Sequence, residues 1–156
     1  MGLHQPVYLT DEGAENLRQE LDHLINVKRP ALADRLHKAI QQGDLSENAD
    51  YKAAKEEQGF LEGRIQQIEM MLRNVVIIES GPTEEVGLGS RVTIVEEGFE
   101  EEETFRIVGP AEANPGKGKV SNESPLGMAL LGHRVGDAVI VEAPAGEITF
   151  RITAIQ

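Results

Sequence analysis

Residues 43–51 read Gly-Asp-Leu-Ser-Glu-Asn-Ala-Asp-Tyr, and the fold turns on how this stretch is read. Gly43 to Tyr51 interrupt two long helical patterns and carry three acidic side chains, Asp44, Glu47 and Asp50, within seven positions. After the interruption, apolar residues fall at Ala54, Leu61, Ile65, Ile68, Leu72 and Val75, a spacing of mostly three and four that keeps one narrow stripe on one helical face. Before it, Leu17, Leu21, Leu24, Ile25, Leu32, Leu36 and Ala39 do the same. Matching these positions (36 with 54, 25 with 65, 21 with 68, 17 with 72) gives sums of 89 or 90, as two antiparallel arms folded about residue 45 require. A second arm of roughly 28 residues would reach about 42 Å. The expected object is a long helical hairpin with an acidic tip.

Working outward, Thr10 is a natural N-cap for the first arm, and Asp11, Glu12 and Glu15 suit the positive end of its dipole. Pro30 lacks a backbone donor, so a kink or brief break is expected near Lys28 to Pro30, with Pro30 opening the next helical segment. The second arm should end near Asn74, where the β-branched run Val75 to Ile78 leads to Ser80, Gly81 and Pro82, read as a linker. This divides the chain into 1–79, the hairpin, and 80–156, a second domain.

Beyond Gly87 the period changes to two. Arg91 to Val95, Thr104 to Val108, Ala138 to Val141 and Glu147 to Ile155 read as strands, the last two joined by a turn at Pro144, Ala145 and Gly146. Ser124 is placed to cap one short helix, with Pro125 as its first residue and Gly132 stopping it after Leu131. The acidic run Glu100 to Glu103 reads as a solvated hairpin loop. The fold class is therefore α+β: a helical hairpin followed by a small, mostly antiparallel sheet with one helix.

Composition removes several functions. The 156 residues hold 27 acidic and 15 basic side chains, a net charge of −12, which argues against a general binder of phosphate backbones. Neither half is basic: 14 acidic against 9 basic residues lie up to position 80, and 13 against 6 after it. With no cysteine there is neither a disulfide nor a thiolate zinc site, and the four histidines have no ligand spacing. No apolar run approaches the ~20 residues of a membrane span and no signal-peptide core opens the chain, so a soluble cytoplasmic protein is expected.

Aspartate and glutamate three apart at a helix start offer hard oxygen ligands suited to Mg²⁺. Two carboxylates hold that ion poorly alone, so a catalytic ion would be shared with another molecule. Asp44 and Glu47 also have the spacing of a capping box, worth about 1 kcal/mol, and spacing does not separate the two readings. Lys52 and Lys55 are placed either to meet an RNA phosphate or to pair with Glu56 and its neighbours. Tyr51 is placed either to stack on a base or to pack at the hairpin end.

GDLSENADY followed by KAAKEEQGFLEGRI, with SPLGMALLGHRVGD in the second half and GEITFRITAI at the end, resembles the Gre family of bacterial transcript cleavage factors along essentially the whole chain. The resemblance implies an N-terminal antiparallel coiled coil and a C-terminal FKBP-like domain. It implies a monomer, when free, that binds RNA polymerase at the rim helices of its largest subunit and inserts the coiled coil into the secondary channel. There Asp44 and Glu47 would share a Mg²⁺ with the polymerase and promote cleavage of the backtracked RNA 3′ end, with no ion bound by the isolated chain. By the same resemblance Asn48, Tyr51, Lys52 and Lys55 would contact RNA or support the tip, and Ser124, Pro125 and Leu126 would dock on polymerase. Position 40, basic in some relatives, is Ile40 here, which implies a preference for short extruded RNA. Two other functions remain open at this point. One is a channel-blocking inhibitor, whose relatives carry an aspartate-rich tip instead of Asp44 and Glu47. The other is a chaperone or prolyl isomerase based on the FKBP-like half, for whose aromatic pocket only Phe99, Phe105 and Phe150 are available after residue 80.

Overall fold

A computed structural model describes residues 5–43, 48–79 and 84–156. Asp44, Glu47 and the linker residues Ser80 to Pro82 lie outside the described residues. The chain forms two compact units, one comprising Ala14–Val75 and the other Pro6–Gly13 with Val76–Gln156. Where the sequence suggests one boundary at 79/80, contacts thus group a short N-terminal segment with the C-terminal unit.

In the first unit the arms are helices α1 (Asp11–His23, whose first turn belongs to the other unit), α2 (Arg29–Gln41) and α3 (Ala49–Arg73). Between α1 and α2, Leu24–Lys28 form a π-helical turn with helical dihedrals at both ends, and the Arg29 N–H reaches Leu24 O, five residues back. Pro30, near the start of α2, is the cause: it cannot donate to the carbonyl four residues earlier and its ring crowds it, so the backbone widens by one residue. The expected break is therefore a bulge that keeps the rod continuous.

Ala14, Leu17, Leu32, Ala39, Ala54, Ile65, Ile68 and Met71 are buried. Met71, not Leu72, ends the buried stripe, because a 3.6-residue period drifts away from a strict heptad. Charged pairs lie along the same helices: Arg29 is bidentate with Glu62 (2.9 and 2.8 Å) and Arg64 with Glu20 (2.8 and 2.9 Å). The Arg64 guanidinium hydrogen-bonded to Glu20 holds that carboxyl below its usual range.

The second unit holds a five-stranded sheet in the order β5-β4-β3-β7-β6, made of β3 (Arg91–Glu96), β4 (Glu102–Val108), β5 (Lys119–Ser121), β6 (Ala138–Ala143) and β7 (Gly146–Ile155). All neighbours are antiparallel except β4 and β5. Val92, Ile94, Ile107, Val120, Val139 and Ile152 form the buried face with Leu130 of helix α4 (Pro125–Leu130). Two features differ from the sequence reading. Glu102 and Glu103 are strand residues, paired with Val95 and Ile94, because the turn closes earlier at Gly98 (φ +90°) and exposed side chains do not stop the ladder. Strand β5, and the small sheet of β1 (Val7–Leu9) with β2 (Val75–Ile77), went unseen because three residues are too few to show a period.

The N-terminal segment is held by a buried carboxylate. Thr10 Oγ1 accepts from the Gly13 N–H at 3.0 Å, which makes Thr10 the cap of α1. The Glu112 carboxylate in turn accepts from the Thr10 N–H (2.9 Å) and from its hydroxyl. Glu112, with a side chain only 5% exposed, has Lys119 Nζ at 3.5 Å as its cation.

Candidate functional site

The tip is built by Asn48. Its extended backbone (φ −83°, ψ 98°) makes it the N-cap of α3, and its Oδ1 accepts from the Tyr51 N–H at 3.0 Å. Its Nδ2 donates to Ala39 O at 2.8 Å, so one side chain starts the second arm and clasps the end of the first. Ala39 and Ala54 have no exposed surface at all; their small side chains let the arms come close there. The cap position of α3 is residue 48, whereas Asp44 and Glu47, read as a capping box or as metal ligands, lie outside the described residues. Gly43, at φ +109°, occupies a left-handed conformation that glycine adopts without strain.

Asp50 is not a free carboxylate. Arg35 Nε and Nη2 donate to its Oδ1 at 3.3 and 3.2 Å, and Arg35 Nη1 donates to Glu57 at 2.7 Å. Of the three acids near the tip, one is therefore spent on bracing the arms, and Arg35 is a tip-supporting residue that helical spacing did not single out. Tyr51 is half-buried, whereas Lys52 and Lys55 are exposed. Lys55 Nζ donates to Gln58 Oε1 at 3.1 Å instead of pairing with Glu56. Among the described residues no three His, Asp or Glu side chains gather as a metal site.

Removing the Asn48 side chain deletes a helix cap and a bond between the arms, about 1 kcal/mol each. Asn48→Ala is expected to lower the stability of the first unit by about 1–2 kcal/mol in urea unfolding followed by circular dichroism, with Asn48→Asp in between, since it keeps only the acceptor. Equal stability of all three proteins would remove Asn48 from this role.

The second candidate surface is α4. Ser124 Oγ accepts from the Gly127 N–H (3.1 Å) and donates to Ser121 O (2.6 Å), fixing the helix start onto the end of β5. Pro125 is exposed at the first turn, while Leu126 is partly buried against the core. Met128, 60% exposed, shares the open side of this short helix and carried no signal in the sequence. The loop that follows is tied by Asp137, which accepts from the Arg134 N–H at 2.9 Å and lies 3.3 Å from His133 Nδ1. Those two bonds, the backbone one first, hold its carboxyl below the usual range.

Comparison with known proteins adds to this geometry. The model described as "Transcription elongation factor, N-terminal" matches residues 7–77, and "Transcription elongation factor, GreA/GreB, C-term" matches residues 81–156. The chain is similar to transcription elongation factor GreA of Geobacillus kaustophilus, 51% identical with 95% of each chain covered. It is also similar to GreA of Lactococcus lactis, 48% identical with 95% of this chain and 96% of that one covered. Among solved structures, GreA factor homolog 1 of Thermus thermophilus is 36% identical and covers 97% of this chain and 99% of its own, with a TM-score of 0.45.

Proposed function

Because the chain belongs to the GreA/GreB family of transcription elongation factors, we propose that it binds bacterial RNA polymerase and stimulates Mg²⁺-dependent cleavage of backtracked nascent RNA. The observation that carries this reading is the tip: an Asp-x-x-Glu pair borne at the end of helical arms that Asn48 clasps and Arg35 braces. Helix α3, 25 residues long, spans about 38 Å, enough to carry the tip deep into a channel. The polymerase is the enzyme; this chain supplies side chains that complete its site.

Asp44 and Glu47 are the donors that suit a Mg²⁺ shared with polymerase, being hard anionic oxygens. Two carboxylates would not hold the ion alone, so its other oxygen ligands would have to come from outside this chain. Asp50 is excluded from that set because its charge is already matched by Arg35. When bound, the ion stabilises the charge that develops as a phosphodiester is hydrolysed. The chain's own contribution is the stem, whose arms Asn48 clasps and Arg35 braces, with both carboxylates in the sequence between those arms. Lys52, exposed on the first turn of α3 and without a side-chain partner among the described residues, is placed to meet an RNA phosphate. On the second unit, Ser124, Pro125 and Leu126 would dock on the polymerase rim, with Met128 adding exposed apolar surface.

Purified, deliberately backtracked elongation complexes test the proposal directly. Release of short RNA 3′ fragments and resumed synthesis on adding the protein with Mg²⁺ is the expected result. Binding that leaves the RNA uncut and slows synthesis would replace it with the channel-blocking reading.

A further inference from the structure

The second unit is strongly acidic, with 6 basic residues against 13 acidic ones after position 80, yet four of those six meet at one place. Arg91 on β3 is the direct cross-strand partner of Arg106 on β4, and Arg106 is in turn the register partner of Lys119 on β5. Paired positions share a sheet face, so the three cations form a row across three adjacent strands, about 10 Å from end to end. Lys117 joins them from the turn before β5. Gly118, at φ +74°, lies so close to β4 that a Cβ there would come within 3.3 Å of Thr104 O.

Like charges directly opposite on neighbouring strands are destabilising. Here little offsets them. Lys119 has Glu112 at 3.5 Å, but the side chains of Arg91, Arg106 and Lys117 have no hydrogen bond or ion pair among the described residues. Arg106 Nε is fully buried and has no acceptor among the described residues. A buried, unpaired guanidinium donor is costly, and charge-assisted bonds from the other nitrogens of that guanidinium to an anion in the cleft would offset the cost. The four cations and Thr104 line a cleft of about 180 Å³, together with one carboxylate, Glu12.

We propose that this cleft binds the phosphate chain of a small polyphosphate anion, either inorganic or carried by a nucleotide. The row of cations matches successive phosphoryl groups, and arginine's fork suits their oxygens. A long nucleic acid is the poorer occupant. The cleft is small, and beyond its four cations a molecule of net charge −12 repels an extended polyanion along its length.

The test is calorimetric titration of the full chain with pyrophosphate at low ionic strength, then with ATP, with GTP and with a single-stranded oligonucleotide lacking terminal polyphosphate. Saturable one-to-one binding of pyrophosphate is expected, weakened about tenfold by Arg91→Gln and by Lys117→Gln, each of which removes one charge-assisted contact. Arg91 and Lys117 are exposed, so both variants should fold, checked by circular dichroism, and Arg151→Gln should bind as wild type. Tighter binding of nucleotides than of pyrophosphate would assign the nucleotide as the source, and equal binding the inorganic anion; either supports the site. Absent pyrophosphate binding, affinity unchanged in both variants, or binding of the oligonucleotide alone would overturn it. None of these readouts depends on RNA cleavage, so the site stands or falls separately from the function proposed for the tip.

Discussion

Asp44→Asn and Glu47→Gln are each expected to lower stimulated RNA cleavage by about a hundredfold or more while leaving binding to polymerase within about twofold. Each amide keeps the size of the side chain and removes the anionic charge that a shared Mg²⁺ needs. Raising the Mg²⁺ concentration should restore part of the rate, since the loss is one of ion affinity. Stability separates this role from helix capping. The N-cap of α3 is Asn48, so neither substitution should shift the melting temperature by more than about 1 °C, whereas a lost cap would cost about 1 kcal/mol and several degrees. Full cleavage by both variants, or a drop in melting temperature that tracks the drop in cleavage, would end the metal-positioning account.

The second large effect is structural, and the same substitution is expected to change sign with its place. A Cβ on Gly127 of α4 would run into Ser121 O, and would lie 2.9 Å from Ser121 C and 3.1 Å from Asn122 Cα. All three are backbone atoms, held by the Ser124 bridge, and cannot move aside cheaply. Alanine gains up to about 1 kcal/mol over glycine in a helix, but overpacking against fixed backbone costs about 1–3 kcal/mol or more. Gly127→Ala should therefore destabilise the C-terminal unit by about 2 kcal/mol net and displace α4 from the sheet. Gly59 and Gly63, inside α3, have no described atom within 4 Å of a new Cβ outside the helix's own backbone, so alanine at either should stabilise the first unit by up to about 1 kcal/mol. Urea unfolding of the three variants decides it. A neutral Gly127→Ala would mean that the strand end yields and that the close approach is dispensable.

Much of this protein is local, and local order is written in the sequence. Helix periodicity placed the two arms, Thr10 and Ser124 marked two caps, Asn74 marked the end of α3, and alternation located the four longer strands. Each depends on neighbours within a turn or a pleat. The acidic pair at 44 and 47 was legible for the same reason, as two side chains three positions apart. What the tertiary structure decided involves residues far apart in the chain. Asn48, besides capping α3 locally, ties it to the first arm because Ala39 O is within reach of its Nδ2, and Arg35 takes Asp50 out of the acidic set from another helix. The buried carboxylate of Glu112 meets Thr10 from 102 positions away. The cationic row of Arg91, Arg106 and Lys119 exists only through strand register, which depends on which residues the core buries, and each of its members alone reads as an ordinary surface charge.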